Sequence, residues 1–208
     1  MIAKRCFDVL TAVLLLSILL PLLLLIALAV VVGSGRPVIY RAQRVGCGGN
    51  RFVMLKFRTM VVGTPGPPIT GRGDPRITRV GAVLRRTKLD ELLQLINVLR
   101  GDMSLVGPRP EDARFVAMYT PEQREVLTIR PGITSPAALR YHNEETLLTA
   151  DAQDFEQMYA TTLLPAKLAL DLDYVRRRSF WWDIAILCQS LTAIFSGHRE
   201  SPHAHARS

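Results

Sequence analysis

The longest apolar stretch of the chain lies near its N-terminus, from Val9 to Val32. It carries no charged residue, and only Thr11, Ser17 and Pro21 interrupt its apolar character. As an α-helix that rises about 1.5 Å per residue, the stretch would reach roughly 36 Å, enough to cross a hydrocarbon core of about 30 Å. The pattern therefore predicts a helix embedded in a membrane.

Two topologies are compatible with this helix. Basic residues, which favour the cytoplasmic side, flank both of its ends: Lys4 and Arg5 before it, and Arg36, Arg41 and Arg44 after it. Pro21 lies at its midpoint, where it bends or breaks a helix, and the Ser17 hydroxyl one turn earlier could satisfy a freed backbone group. A helix that enters, turns at Pro21 and leaves on the same face fits these features, and an ordinary proline-kinked span is the alternative.

Alternation of polar and apolar residues after the membrane segment predicts a β-hairpin. Its strands are Val38–Tyr40 and Phe52–Leu55, joined by the glycine-rich turn Gly46–Asn50. Lys56 and Arg58 follow on the same side of an extended chain. Two cations in that arrangement either hold a diphosphate or lie on a solvated surface.

Helical spacing dominates the rest of the chain. A stripe of leucine and isoleucine predicts a helix from about Val80 to Leu99. Residues 150–178 also show a helical pattern, and an amphipathic helix with two tryptophans at its start begins near Phe180. This pattern fits a helix in the membrane interface and equally a terminal helix packed on the core. The interface and the core are both open for this last helix. The polar residues 198–208 predict a disordered tail.

Charge is unevenly distributed. Residues 1–110 contain 16 Lys and Arg against 5 Asp and Glu, whereas residues 111–208 contain 10 against 13. A basic, membrane-proximal half implies anionic partners such as lipid headgroups or phosphorylated substrates. Nucleic acid is not predicted, because no helix-turn-helix or RNA-binding signature appears. The three scattered cysteines have no metal or redox spacing and suit a reducing cytoplasm.

The adjacent pair Asp90–Glu91, close to Arg85 and Lys88, carries the candidate chemistry. Adjacent carboxylates cannot flank a glycosidic bond from two sides, which excludes a glycosidase. They can act together on a phosphate, one attacking phosphorus while the other helps to hold a magnesium ion. Taken alone, the pair is better explained by simple ion pairs with Arg86 and Lys88 on a helix surface.

Six stretches of the chain resemble, in order, the motifs of one family. They are Lys4–Asp8, Lys56–Met60, Leu89–Ser104, Val106–Pro110, Arg130–Thr134, and Asp171 with Tyr174, Val175 and Ser179. The family is the bacterial sugar transferases, small monotopic phosphoglycosyl transferases that act on polyprenyl phosphate, and the resemblance covers about residues 3–196. The chain departs from it at Leu20, where relatives often have Ser before the proline, and at Ser135, where they usually have Gly.

The resemblance implies a mainly helical α+β fold in three parts. Residues 1–35 would form a re-entrant membrane helix kinked at Pro21, with Ser17 at the bend. Residues 36–197 would form a catalytic domain with the small hairpin and interfacial amphipathic helices, and residues 198–208 the tail. The domain would lie on the cytoplasmic face of the bacterial inner membrane, in contact with its lipids.

The resemblance also implies a reaction. Asp90 would attack the β-phosphate of a UDP-sugar, release UMP and carry the sugar phosphate until polyprenyl (undecaprenyl) phosphate accepts it. Glu91 would be the Mg²⁺ ligand. The basic residues implied around the phosphates are Lys56, Arg58, Arg85 and Arg109, and those implied near the nucleotide or sugar are Arg130, Gly132 and Thr134.

Two other hypotheses compete with this one. The first is a non-enzymatic, membrane-anchored adaptor whose basic half binds anionic lipid, and the second is a one-step transferase without a covalent intermediate. The sequence also leaves homo-oligomer formation, the sugar and the glycoconjugate pathway (exopolysaccharide, lipopolysaccharide or glycoprotein) open.

Overall fold

A computed structural model of the protein describes residues 2–64, 74–141 and 156–195. It is a mainly helical α+β fold with a two-stranded antiparallel hairpin and a two-stranded parallel sheet. The predicted tail at residues 198–208 lies outside the described residues.

The apolar N-terminal stretch forms helix α1, Ile2–Ser34, with Pro21 inside it. Within the described ranges it is the one helix long and apolar enough to cross a membrane. One face is buried at Ala12, Leu23, Ile26 and Val30. The opposite face leaves large apolar side chains exposed: Leu10, Leu14, Ile18, Leu24, Leu25 and Leu28. An uninterrupted apolar surface of this kind is typical of contact with lipid; the kink at Pro21 stays a prediction.

Both ends of α1 contact the same domain. Near its start, Arg5 donates hydrogen bonds to the carbonyls of Val98 at 2.7 Å and Leu99 at 3.3 Å. At its other end, Arg58 donates to the carbonyls of Ser34 at 2.7 Å and Gly35 at 2.6 Å. The Arg58 guanidinium therefore binds carbonyls at the C-terminus of α1, where carbonyls lack intrahelical partners.

The predicted hairpin is confirmed. Strands β1 (Ile39–Val45) and β2 (Arg51–Phe57) pair antiparallel, with Tyr40 opposite Lys56. Side chains alternate between the two faces of the hairpin. One face is buried at Ala42 and Met54 and lines the large cavity described below.

The single helix predicted from Val80 to Leu99 is wrong. Helices α2 (Arg79–Arg86) and α3 (Gln94–Arg100) are separate, and a short 3-10 helix, Leu89–Glu91, lies between them. The break occurs at Lys88, whose φ of 57° is left-handed. Neither Gly nor Pro marks this position, and the leucines on its C-terminal side keep helical spacing, so the sequence pattern did not indicate the break.

Strands β3 (Ser104–Val106) and β4 (Gly132–Thr134) pair in parallel. A Cβ added at Gly132 would lie 2.1 Å from the backbone nitrogen of Gly107, so the two chains approach as closely as they do only because this residue is glycine. The described ranges also contain a 3-10 helix Cys47–Gly49, α4 (Ala113–Ala117), a 3-10 helix Gln123–Thr128, α5 (Pro136–Arg140), a π-helical turn Tyr159–Leu163, α6 (Leu164–Arg177) and α7 (Phe180–Phe195).

Helix α7 packs on the core of the domain, and its position at a membrane interface stays a prediction. Asp183 and Ile186 are buried against the domain, and Asp183 accepts hydrogen bonds from Lys4 at 2.6 Å and Tyr174 at 2.5 Å. Trp181, in contrast, is 77% exposed. The helix thus packs on the core with one face and presents an aromatic side chain outward with another.

Candidate active site

The two acidic residues singled out in the sequence lie in the short 3-10 helix that follows Lys88. Leu93, which follows them, is buried in a cluster with Leu23 of α1 and Leu55 of β2. These apolar contacts fix the turn between α1 and the hairpin. As a result, Asp90 and Glu91 both line a cavity of about 1000 Å³.

Glu91 is the centre of an ion-pair network. Lys56 Nζ lies 2.8 Å from Glu91 Oε1, and the Arg109 guanidinium contacts Oε1 at 2.5 Å and Oε2 at 3.2 Å. Burial raises the pKa of the Glu91 carboxyl, but Arg109 and Lys56 outweigh burial and hold that pKa well below its ordinary value. Glu91 is therefore ionised throughout the neutral range.

Asp90 has the opposite environment. Its side chain is buried, and its Oδ1 has no hydrogen-bond partner among the residues that the structure describes. Burial and the neighbouring charge of Glu91 raise the pKa of Asp90, while Lys56, Lys88 and Arg85 lower it. A desolvated carboxylate oxygen without a partner is poorly stabilised, which suits a nucleophile.

Gln94 lies four residues after Asp90 and is also buried. Neither its Oε1 nor its Nε2 has a hydrogen-bond partner within residues 2–64, 74–141 and 156–195. Helix α3 begins at Gln94, whose side chain is therefore buried at the start of the helix.

The other basic residues predicted around the phosphates also line the cavity, with different contacts. Arg85 Nε donates to Thr59 Oγ1 at 2.9 Å. Arg58 donates chiefly to the end of α1, as described above. The structure therefore brings Lys56, Arg85 and Arg109 to the acidic pair, whereas Arg58 lies at the cavity with its guanidinium engaged by backbone carbonyls.

The backbone of Arg109 is hydrogen-bonded to a buried carboxylate. Asp171 of α6 accepts hydrogen bonds from the backbone N–H of Arg109 at 3.2 Å and of Ala137 at 3.3 Å. Burial raises the pKa of Asp171 to about 6, although these hydrogen bonds and one from Ser135 oppose the increase. Ser135 also accepts from the Ala138 N–H at 3.0 Å, so this departure from the family pattern caps α5.

Three predicted nucleotide or sugar contacts lie elsewhere. Arg130 Nε donates to the Gly101 carbonyl at 2.8 Å, and Thr134 Oγ1 lies 2.7 Å from Ser190 Oγ. Gly132 packs against Gly107. None of Arg130, Gly132 and Thr134 is among the described residues that line the cavity, so their role in binding stays a prediction.

The metal prediction rests on Glu91. Among the described residues no group of three or more His, Cys, Asp or Glu side chains could enclose an ion. Mg²⁺ does not need such an enclosure, because one or two carboxylates and substrate phosphates commonly hold it. Glu91 and the Asp90 Oδ1 atom, which has no hydrogen-bond partner in the described part of the chain, fit that arrangement, in which Mg²⁺ would compete with Lys56 and Arg109 for Glu91.

Several polar residues at the cavity were not predicted from the sequence, among them Glu111, Tyr159 and Lys167. Glu111 directly follows the Pro108–Pro110 turn, which contains the predicted site residue Arg109, and this position next to the motif is the signal that could have identified it. Tyr159 and Lys167 come from distant helical segments whose pattern does not distinguish a cavity wall from a surface.

Comparisons with known proteins identify the family. The model of the bacterial sugar transferase family matches residues 1–197. A UDP-glucose:undecaprenyl-phosphate glucose-1-phosphate transferase of Caulobacter vibrioides is 40% identical over 198 residues, which cover 93% of this chain and 70% of the relative. The exopolysaccharide production protein ExoY of Rhizobium meliloti is 35% identical over 211 residues, covering 92% of this chain and 85% of the relative.

Other relatives are longer. A UDP-N-acetylgalactosamine-undecaprenyl-phosphate N-acetylgalactosaminephosphotransferase of Aeromonas hydrophila is 35% identical over 201 residues, covering 93% of this chain and 44% of the relative. In all, the chain spans between 35% and 44% of the length of four curated relatives.

Proposed function

Because this chain belongs to the bacterial sugar transferase family, we propose that it transfers a sugar phosphate from a UDP-sugar to undecaprenyl phosphate, with Asp90 as the nucleophile. The observation that carries the proposal is the buried Asp90 carboxylate, whose Oδ1 lacks a partner in the described part of the chain and which lies beside Glu91 and its cations. The relatives' names supply the substrate class, and ExoY links the reaction to exopolysaccharide production.

The reaction proceeds in two displacements at one phosphorus atom. In the first, a carboxylate oxygen of Asp90 bonds to the β-phosphorus of the UDP-sugar. The bond to the oxygen that bridges the two phosphates breaks, and UMP leaves with that electron pair. In the second, a phosphate oxygen of undecaprenyl phosphate attacks the same phosphorus, and the Asp90 carboxylate leaves.

The residues around Asp90 neutralise the charge of both substrates. Lys56, Arg85 and Arg109 face the cavity as fixed cations, which stabilise charge on phosphate oxygens where water is excluded. A Mg²⁺ ion bound at Glu91 would neutralise further phosphate charge. The basic half of the chain and the exposed apolar side chains of α1 support an active site at the cytoplasmic face of a membrane, where a lipid phosphate and a soluble nucleotide can meet.

A UMP-release assay with the purified chain tests the proposal. Undecaprenyl phosphate and a panel of UDP-sugars are supplied, and the donor that releases UMP identifies the sugar. Asp90→Asn should abolish release, because an amide is not a nucleophile at phosphorus. Asp173→Asn, at an exposed ion pair with Arg177 on α6, is the matched control and should turn over like the wild type. Turnover at the wild-type rate by Asp90→Asn contradicts the proposal.

The covalent intermediate has its own test. Without undecaprenyl phosphate, the enzyme should release one UMP per active site and retain the radiolabelled sugar phosphate. A one-step transferase releases no UMP until the lipid is added, and an adaptor releases none at all. Glu91→Gln should weaken the dependence on Mg²⁺; an unchanged magnesium titration counts against Glu91 as the ligand.

A further inference from the structure

The cavity that contains Asp90 extends to a second polar cluster, formed by Glu111, Tyr159 and Lys167, to which the two displacements assign no role. The Tyr159 hydroxyl donates a hydrogen bond to Glu111 Oε1. Lys167 Nζ donates to the Tyr159 oxygen at 3.1 Å and lies 3.8 Å from Glu111 Oε1. The three side chains thus form one connected network.

This network is costly to bury. Lys167 and Tyr159 are 4% and 5% exposed, and the Glu111 side chain is 14% exposed. Charged groups are expensive to desolvate even when they are paired. Tyr159 also begins a π-helical turn, a rare conformation found frequently at functional sites. The arrangement holds the Glu111 carboxylate in a fixed position at the cavity wall.

Glu111 lies within the reach of a donor bound at the acidic pair. It follows Arg109 by two residues, a distance of at most about 7 Å along the chain. Its carbonyl accepts from Val45 N at 3.0 Å, at the end of β1, whereas Lys56 lies opposite Tyr40 near the other end of that strand. Tyr40 and Val45 are about 16 Å apart along β1 at the usual rise of a strand. A nucleotide sugar with its diphosphate near Lys56 and Arg109 is therefore long enough to reach Glu111.

We propose that the Glu111 carboxylate binds a vicinal diol of the nucleotide-sugar donor, with Tyr159 and Lys167 as its positioning residues. This inference rests on the proposed function. An ionised carboxylate is an acceptor with two oxygens, so it can accept from two neighbouring hydroxyls at once, in strong charge-assisted hydrogen bonds. A UDP-sugar carries such diols on its ribose and on its sugar ring, and the chemistry of recognition is the same for both.

The test compares donors on the same enzyme sample. UMP release is measured with the UDP-sugar that the wild type uses best, with its C4 epimer, and with its 2′-deoxyuridine analogue. Glu111→Gln should lower kcat/KM for the best donor by about tenfold to a hundredfold. It should also reduce the preference for that donor over one of the two analogues. A reduced preference over the epimer assigns the diol to the sugar ring, and a reduced preference over the deoxy analogue assigns it to the ribose.

These preferences are ratios within one sample, so a smaller folded fraction does not change them. Tyr159→Phe, which keeps the ring and removes the hydroxyl that holds Glu111, should shift the same ratio in the same direction. Glu122→Gln, at an exposed ion pair with Arg176, is the matched control and should leave both ratios unchanged. If Glu111→Gln and Tyr159→Phe are active with unaltered ratios, the inference alone is overturned. If the wild type releases no UMP from any donor, the proposed function is overturned and the inference with it.

Discussion

The Arg109 guanidinium holds both carboxylate oxygens of Glu91, with contacts of 2.5 and 3.2 Å. Arg109 lies between two prolines, and Asp171 accepts a hydrogen bond from its backbone N–H. A rigid turn and a buried carboxylate thus position a cation that in turn orients Glu91. The orientation of Glu91 thus depends on Arg109 and Asp171, which come from two other parts of the chain.

Arg109→Lys should therefore impair the reaction although it keeps the positive charge. Lysine offers a point charge instead of the planar fork that binds two carboxylate oxygens. Loss of one charge-assisted hydrogen bond corresponds to about 1.5–3 kcal/mol, or roughly a tenfold to hundredfold decrease in kcat/KM for UMP release. Arg176→Lys changes an exposed arginine in the same way and serves as the control. Equal kcat/KM for Arg109→Lys and the control argues against the orienting role.

The pKa of Asp90 predicts the acid side of the pH profile. Asp90 must be ionised to attack phosphorus. Its pKa is raised above that of an ordinary aspartate, mainly by burial and to a lesser extent by the charge of Glu91. Activity should therefore fall as the pH is lowered through this raised value. Lys88 lowers the pKa of Asp90, so Lys88→Asn should move the acid limb of kcat/KM to higher pH.

Asparagine suits this test because it tolerates the left-handed backbone of Lys88, where φ is 57°. Arg86→Gln removes an equal charge from an exposed neighbouring position that does not line the cavity, and its acid limb should coincide with that of the wild type. An acid limb that moves to lower pH in Lys88→Asn contradicts the assignment of Asp90 as the ionising group.

Local patterns predicted the elements better than they predicted the site. The alternation around the hairpin was sufficient because each strand is short and its partner follows directly. The break at Lys88 left no signal, because a lysine in a left-handed conformation is stabilised by the packing of Leu93 against α1 and β2, which is a long-range contact. Lys167 shows the same limit: its burial depends on Tyr159 and Glu111, which are 8 and 56 residues away in the sequence.

Arg58 has two candidate roles, and one substitution separates them. It donates to the Ser34 and Gly35 carbonyls at the end of α1, where a cation also interacts favourably with the helix dipole. Arg58→Met should lower the free energy of unfolding in detergent by about 2–3 kcal/mol. Arg51→Met, at an exposed position at the start of β2, should have little effect.

If Arg58 also binds phosphate, kcat/KM per folded Arg58→Met molecule should fall as well. If Arg58→Met is destabilised but its kcat/KM per folded molecule is normal, Arg58 binds the end of α1 and does not bind phosphate. Unfolding free energies that agree within 0.5 kcal/mol between Arg58→Met and the wild type contradict that role, because surface changes commonly stay within about that range.

The contacts at the two ends of α1 predict the topology of the membrane helix. Arg5 binds the Val98 carbonyl near the start of α1, and Arg58 binds the Ser34 carbonyl at its end. In a helix that crosses the membrane, these ends are separated by about 30 Å of hydrocarbon, and one domain outside the bilayer cannot contact both. A helix that enters and leaves on the cytoplasmic face allows both contacts, in agreement with basic residues on both flanks.

Cysteine labelling in intact cells tests this topology. Ile2 is 82% exposed and the Arg36 side chain is also exposed, so Ile2→Cys and Arg36→Cys disturb neither contact. The native cysteines Cys6, Cys47 and Cys188 are exposed and must first be replaced by serine. Both introduced thiols should resist a membrane-impermeant maleimide added outside the inner membrane and react after the cells are opened. Reaction of either thiol from outside, with the other protected, establishes a crossing helix and rules out re-entry.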